Sequence, residues 1–64
     1  MNLRRLRAQK RLSQESLASL AGLNRNYVGM LEREEFAATV DVVEKLASAL
    51  GVEPVTLIMP LPPT

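Results

Sequence analysis

Two adjacent side chains, Arg25 and Asn26, carry the most specific chemistry in this sequence. A guanidinium offers paired donors that match a guanine edge, and a carboxamide offers a donor and an acceptor that match an adenine edge. The groups that would do covalent or proton-transfer work are missing, because the 64 residues include no Cys and no His. Disulfides are thereby excluded, and a zinc or other transition-metal site has no good ligands. Without a thiol or an imidazole, few routes to nucleophilic or general-base catalysis remain. The expectation is a binding protein and not an enzyme, with no cofactor, no metal and no small-molecule substrate.

Charge narrows the choice of partner. Residues 1–33 hold seven basic groups (Arg4, Arg5, Arg7, Lys10, Arg11, Arg25, Arg33) against Glu15 and Glu32. Residues 34–64 hold Lys45 alone against Glu34, Glu35, Asp41, Glu44 and Glu53. The halves carry +5 and −4, although the net charge is only +1. Such asymmetry favours a polyanion docking on one side. A solvated basic helix would give the same composition, so charge alone leaves both readings open.

Five helices and no strands are expected, forming one all-α domain over 1–64. Leu3 and Leu6 place a first helix up to about Lys10. Ser13 is a good N-cap for a second, with Leu17, Ala18 and Ala21 on its apolar face and Gly22 at its end. Asn24 caps a third, in which Val28 and Leu31 repeat at helical spacing. The loop "EEFAAT" follows. Thr39 caps a fourth helix with the stripe Val43, Leu46, Ala47, Leu50, ended by Gly51. Pro54 suits the first turn of a fifth through about Met59. The Pro-rich tail, 60–64, should be extended. No apolar run long enough for a signal peptide or a membrane span is present, so no membrane association and a cytoplasmic location are expected.

The second and third helices, about 14–33, must meet at a sharp angle. Ala18 supplies the small residue at their contact and Gly22 the flexible corner. Leu17, Ala21, Leu23, Val28 and Leu31 then point inward, while Arg25, Asn26, Gly29, Met30 and Arg33 point outward. This suits a helix-turn-helix whose second helix is free to enter a major groove. A plain helical hairpin is the competing reading. Gly29 lies mid-helix, at a cost of about 0.5–1 kcal/mol relative to Ala. A close approach by DNA or by another helix would explain it.

The segments "LRAQKRLSQESLASLAGL", "YVGMLER" and "VEKLASALGVEP" resemble the lambda-repressor-like, or XRE, helix-turn-helix family, in order and at its spacings. The resemblance covers roughly residues 3–59. It implies a five-helix fold and sequence-specific binding of double-stranded DNA. It puts Arg25 and Asn26 at base-reading positions, along with Met30, which would touch a thymine methyl or lie half-buried. It implies a phosphate contact from Gln14, whose carboxamide would also buttress the third helix, and one from Asn24, which also caps. The basic groups near helix one, Arg4, Arg5 and Arg11, would hold the backbone. Tyr27 would reach a phosphate or pack its ring beside the second helix. Arg7 and Glu32 match a structural ion pair.

Two departures stand out. Relatives usually have Gly where this chain has Arg11, and a left-handed conformation there would cost roughly 1 kcal/mol. Glu34 and Glu35 occupy a loop that is often basic in relatives, so no phosphate contact is carried over to it. Phe36, the lone Phe, is expected at the core edge, with a dimer interface as the alternative. The uncharged "VTLIMPLPP" suggests homodimerisation through Leu57, Ile58, Met59 and Leu61, the competing reading being that Leu57 and Ile58 cap the core of a monomer. The function expected is a transcriptional regulator on a palindromic operator. An antitoxin or a restriction-modification controller would be variants of it. A protein-interaction module that lost DNA binding is the rival, favoured by Glu34, Glu35, Gly29 and Met30.

Overall fold

Side-chain oxygens start three of the five helices in the computed structural model, which describes residues 1–59. The helices are α1 (Leu3–Gln9), α2 (Gln14–Ala21), α3 (Arg25–Glu32), α4 (Val40–Leu50) and α5 (Pro54–Ile58). Ser13 Oγ accepts from the Ser16 amide at 2.9 Å, Asn24 Oδ1 from Asn26 at 2.7 Å, and Thr39 Oγ1 from Val42 at 3.2 Å. Each cap satisfies a backbone donor that a helix start leaves unpaired. Gly22 and Gly51 end α2 and α4 in the left-handed region, at φ 71° and 70°. No strand occurs among the described residues, and no helix is long and apolar enough to cross a membrane.

Every helix gives one fully buried aliphatic residue to a common core: Leu3, Leu17, Val28, Leu46 and Leu57. Ala18 and Ala21 of α2 and Ala47 of α4 are buried among them, and small side chains let helix axes approach closely. Leu6, Leu23 and Val43 cover the edge of this cluster. The inward stripes expected from helical periodicity are therefore the ones observed.

Two turns use the left-handed region without glycine. Arg11 has φ 57°, so of the two expectations for this turn the strained left-handed one holds. The turn is tied by the Leu12 amide on the Arg7 carbonyl (3.1 Å) and by Arg7 Nη1 on the Leu12 carbonyl (2.8 Å). Glu34, at φ 60°, closes α3 in the same way, and the amides of Glu34 and Glu35 donate to Leu31 and Met30. Nothing in the sequence pattern announced this second turn.

Two expectations need correction. Leu57 is 0 % exposed and belongs to the core, not to a dimer surface. The chain start fixes α5 there: the Asn2 amide donates to the Leu57 carbonyl (2.8 Å), and Asn2 Nδ2 donates to the carbonyls of Thr56 and Met59. Phe36 does not plug the core edge. It is 56 % exposed, in the loop beyond the Glu34 turn, beside an open groove of about 400 Å³ that Met1 and Ile58 also line. Ile58 and Met59 remain more than half exposed, as a contact surface would require. Leu61 and the tail lie outside the described residues.

Leu57→Ala should therefore cost about 2–5 kcal/mol, the range for emptying a buried leucine site. Ile58→Ala should stay within about 0.5 kcal/mol, as an exposed change does. Urea unfolding of dilute protein reads both; equal small effects would place Leu57 outside the core.

Candidate nucleic-acid interface

The third helix is anchored by Val28 and Leu31, both buried, and this fixes which of its residues face outward. Arg25 and Asn26 are exposed at its first turn, and Met30 is half-buried. Asn24 stands just before them, extended at ψ 138°, with Oδ1 engaged as the cap. Capping uses only its acceptor, so its amide donors remain for a second partner.

A shallow, open depression of about 300 Å³ lies along this face, lined by Gln14, Arg25, Asn26, Gly29, Met30 and Arg33. The fold thus brings Gln14 of α2 together with all three base-reading candidates. It adds Arg33, which received no role from the sequence. Arg4, Arg5 and Arg11 are exposed but do not line the depression. Tyr27 is half-buried and packs against the core, so its ring is used internally. Gly29 now has a reason. A Cβ built there would lie 3.2 Å from Nη1 of Arg33, and 3.6 and 3.8 Å from the Gln14 Oε1 and Nε2. The close approach is made by polar heads of this same chain.

Beneath that face, Glu32 gathers three helices. Arg7 of α1 donates through Nε to Oε2 and through Nη2 to Oε1 (3.2 Å), and Gln14 Nε2 of α2 donates to Oε1 (2.9 Å). The Glu32 side chain is only 4 % exposed. Burial by itself would push its carboxyl up. The hydrogen bonds from Arg7 and Gln14, with the charges of Arg7 and Arg4, outweigh that and hold it below the usual range. The hydrogen bond to Glu32 raises Arg7 above its ordinary value, against the effect of burial. The ion pair expected between Arg7 and Glu32 is present. The bond from Gln14 was not anticipated, although its carboxamide was expected to buttress α3. Nor was the pairing of Arg33 Nε with Glu35 Oε2 at 3.1 Å. One signal for the Arg33 seat was available: Gly29 lies four residues earlier on the same face.

A carboxyl whose folded pKa is depressed stabilises the fold fully above its unfolded pKa, about 4.3 for Glu, and loses that contribution as pH falls through the lower folded value. The wild type should therefore lose this contribution progressively as pH falls below about 4. Glu32→Gln should be less stable at pH 7, and its deficit should shrink as the wild type becomes protonated. Thermal melts from pH 7 to pH 2 give the comparison; a deficit that does not change with pH would mean Glu32 acts without its charge.

Known proteins share this fold. A helix-turn-helix family model matches residues 3–57. The restriction-modification controller protein C.AhdI from Aeromonas hydrophila superposes with a TM-score of 0.87 at 49% identity, over 89% of this chain and 86% of that one. A hypothetical transcription factor from Neisseria superposes with a TM-score of 0.88 at 42% identity, over 92% of this chain and 66% of that one. A hypothetical transcription factor from Neisseria meningitidis is 42% identical over 59 residues, which are 92% of this chain but only 56% of that protein's length. Control protein C.SmaI of Serratia marcescens is 44% identical over 50 residues, which are 78% of this chain and 60% of that protein. The chain belongs to the lambda-repressor-like, or XRE, helix-turn-helix family, a family of DNA-binding transcriptional regulators.

Proposed function

We propose that this chain regulates transcription as a symmetric dimer on a palindromic operator, with α3 in the major groove. The observation that carries this reading is the division of α3. Val28 and Leu31 are locked into the core, while Arg25 and Asn26 stand exposed and line the depression. Arg25 and Asn26 read base edges, and Met30 lies against a thymine methyl. Gln14 and Asn24 donate to phosphates with the N–H groups their internal bonds leave over. Arg4, Arg5 and Arg11 hold the backbone without reading sequence, and Tyr27 adds its hydroxyl. The chain acts in the cytoplasm, by occupying DNA.

Pairing of two copies has a physical motive. One module of this size offers too few base contacts for useful discrimination against a genome of competing sites. Exposed Ile58, Met59 and Phe36 supply apolar side chains for pairing, and Phe36 and Ile58 line one groove together with Met1, Glu34 and Glu35. Twofold pairing there sets two recognition helices about 34–36 Å apart, one turn of DNA. The similarity to C.AhdI and C.SmaI supports the restriction-modification controller among the possible systems.

Binding to duplex DNA should weaken with salt at a log–log slope of roughly −4 to −5, as expected for four to six phosphate contacts. Arg25→Ala should cost about 1–3 kcal/mol on the preferred site and flatten the choice at one base-pair position. Arg4→Ala or Arg5→Ala should weaken all sequences alike. Fluorescence anisotropy on a selected site and on random duplex measures these effects; unchanged site preference in Arg25→Ala would remove it from the base-reading set.

Dimerisation has its own check. Sedimentation equilibrium from sub-micromolar to tens of micromolar should show a monomer–dimer transition, shifted to higher concentration by Ile58→Glu. A chain that stays monomeric both free and on its operator would rule out the twofold arrangement.

A further inference from the structure

We infer that Arg33 is an additional base-reading residue and that Glu35 positions it, an assignment that rests on the DNA-binding reading above. Arg33 caps α3 at its C-terminal end, where a side chain pointing straight out would leave the depression. Helical side chains lean toward the preceding turn, and Arg33 follows that lean back over position 29. Its Nη1 lies 3.2 Å from where a Cβ of Gly29 would stand. Any other residue there would press on the guanidinium. The absent Cβ leaves a few tenths of an ångström more room for the guanidinium, and Arg33 lines the same depression as Arg25, Asn26 and Met30.

Glu35 settles the other edge of the group. Its Oε2 accepts from Arg33 Nε at 3.1 Å. That bond uses one of the five guanidinium donors and leaves those on the two terminal nitrogens, the pair that meets a guanine O6 and N7. A carboxylate close to phosphates is unfavourable alone. Paired with Arg33 it adds no net charge, and it restricts a long side chain to one orientation before DNA arrives. Glu34, the neighbouring acid, has no such link: it lies 3.8 Å from the N-terminal amine and is otherwise solvated.

The test compares affinities for a selected operator and for random duplex, using Arg33→Ala, Glu35→Gln, the double variant and Glu34→Gln. Both target side chains are about half exposed or more, so the variants keep the fold. Arg33→Ala should lower the preference for the operator by roughly 5- to 150-fold, with relaxation at one base-pair position. Glu35→Gln removes a negative charge and should bind random duplex as tightly as the wild type or tighter. Its operator preference should nonetheless fall about two- to five-fold, the worth of an exposed ion pair. In the Arg33→Ala background Glu35→Gln should change the preference no further, and Glu34→Gln should leave it intact. If Glu35→Gln tightens both DNAs by the same factor, Glu35 only repels and the inference is overturned. It is overturned equally if Arg33→Ala weakens both alike. A wild type that prefers no sequence at all would instead refute the DNA-reading role itself, and the inference with it.

Discussion

The buried carboxylate of Glu32 is the constraint on which the outward face depends. It terminates α3, is almost wholly removed from water, and accepts from Arg7 of α1 and Gln14 of α2. A buried ion pair of this kind adds little net stability, because desolvation offsets most of the attraction. Breaking it is another matter, since either partner alone is left as an uncompensated charge. Its value here is positional. One carboxylate holds the end of α3 to α1 and also fixes the Gln14 carboxamide above Gly29. Among the polar heads along the reading face, the Gln14 carboxamide is therefore ordered by a bond made underneath it.

Charge is distributed to the same end. Positive groups gather before residue 34 and negative ones after it, yet the boundary is not a simple frontier. Arg33 and Glu35 pair across it at the edge of the depression. Arg11 stays exposed in a left-handed turn where a glycine would be relaxed, and Arg7 braces that turn through the Leu12 carbonyl. A strained arginine kept at the surface is consistent with use of its charge, and the bond from Arg7 shows what sustains the conformation.

Much of the fold was legible because its signals are local. Ser13, Asn24 and Thr39 cap where their side-chain oxygens reach the next amides, and Gly22 and Gly51 stop helices where φ turns positive. The periodic aliphatics then specify which face is buried. Arg7 with Glu32, in contrast, are 25 residues apart, and no periodicity links them; only family resemblance pointed to the pair. Long-range packing decided the failures. An uncharged run at the C-terminal end leaves open which of its residues turns inward, and the capture of α5 by Asn2, with Leu57 buried and Ile58 exposed, decides it. A lone Phe favours burial on average, but the Glu34 turn carries Phe36 out past a core already filled by aliphatics. Arg33 was seen to point outward; its seat over Gly29 became visible only with side chains in place.

The central claim is that one face, built by Gln14 and α3, meets the DNA. The direct measurement is a backbone-amide NMR titration of the protein with its selected operator duplex. The account predicts the largest shifts at Gln14 and from Asn24 to Arg33, with the amides of Asp41, Glu44 and Lys45 on α4 nearly unmoved. Shifts centred instead on Phe36 and Ile58, with Arg25 and Asn26 unaffected, would contradict it.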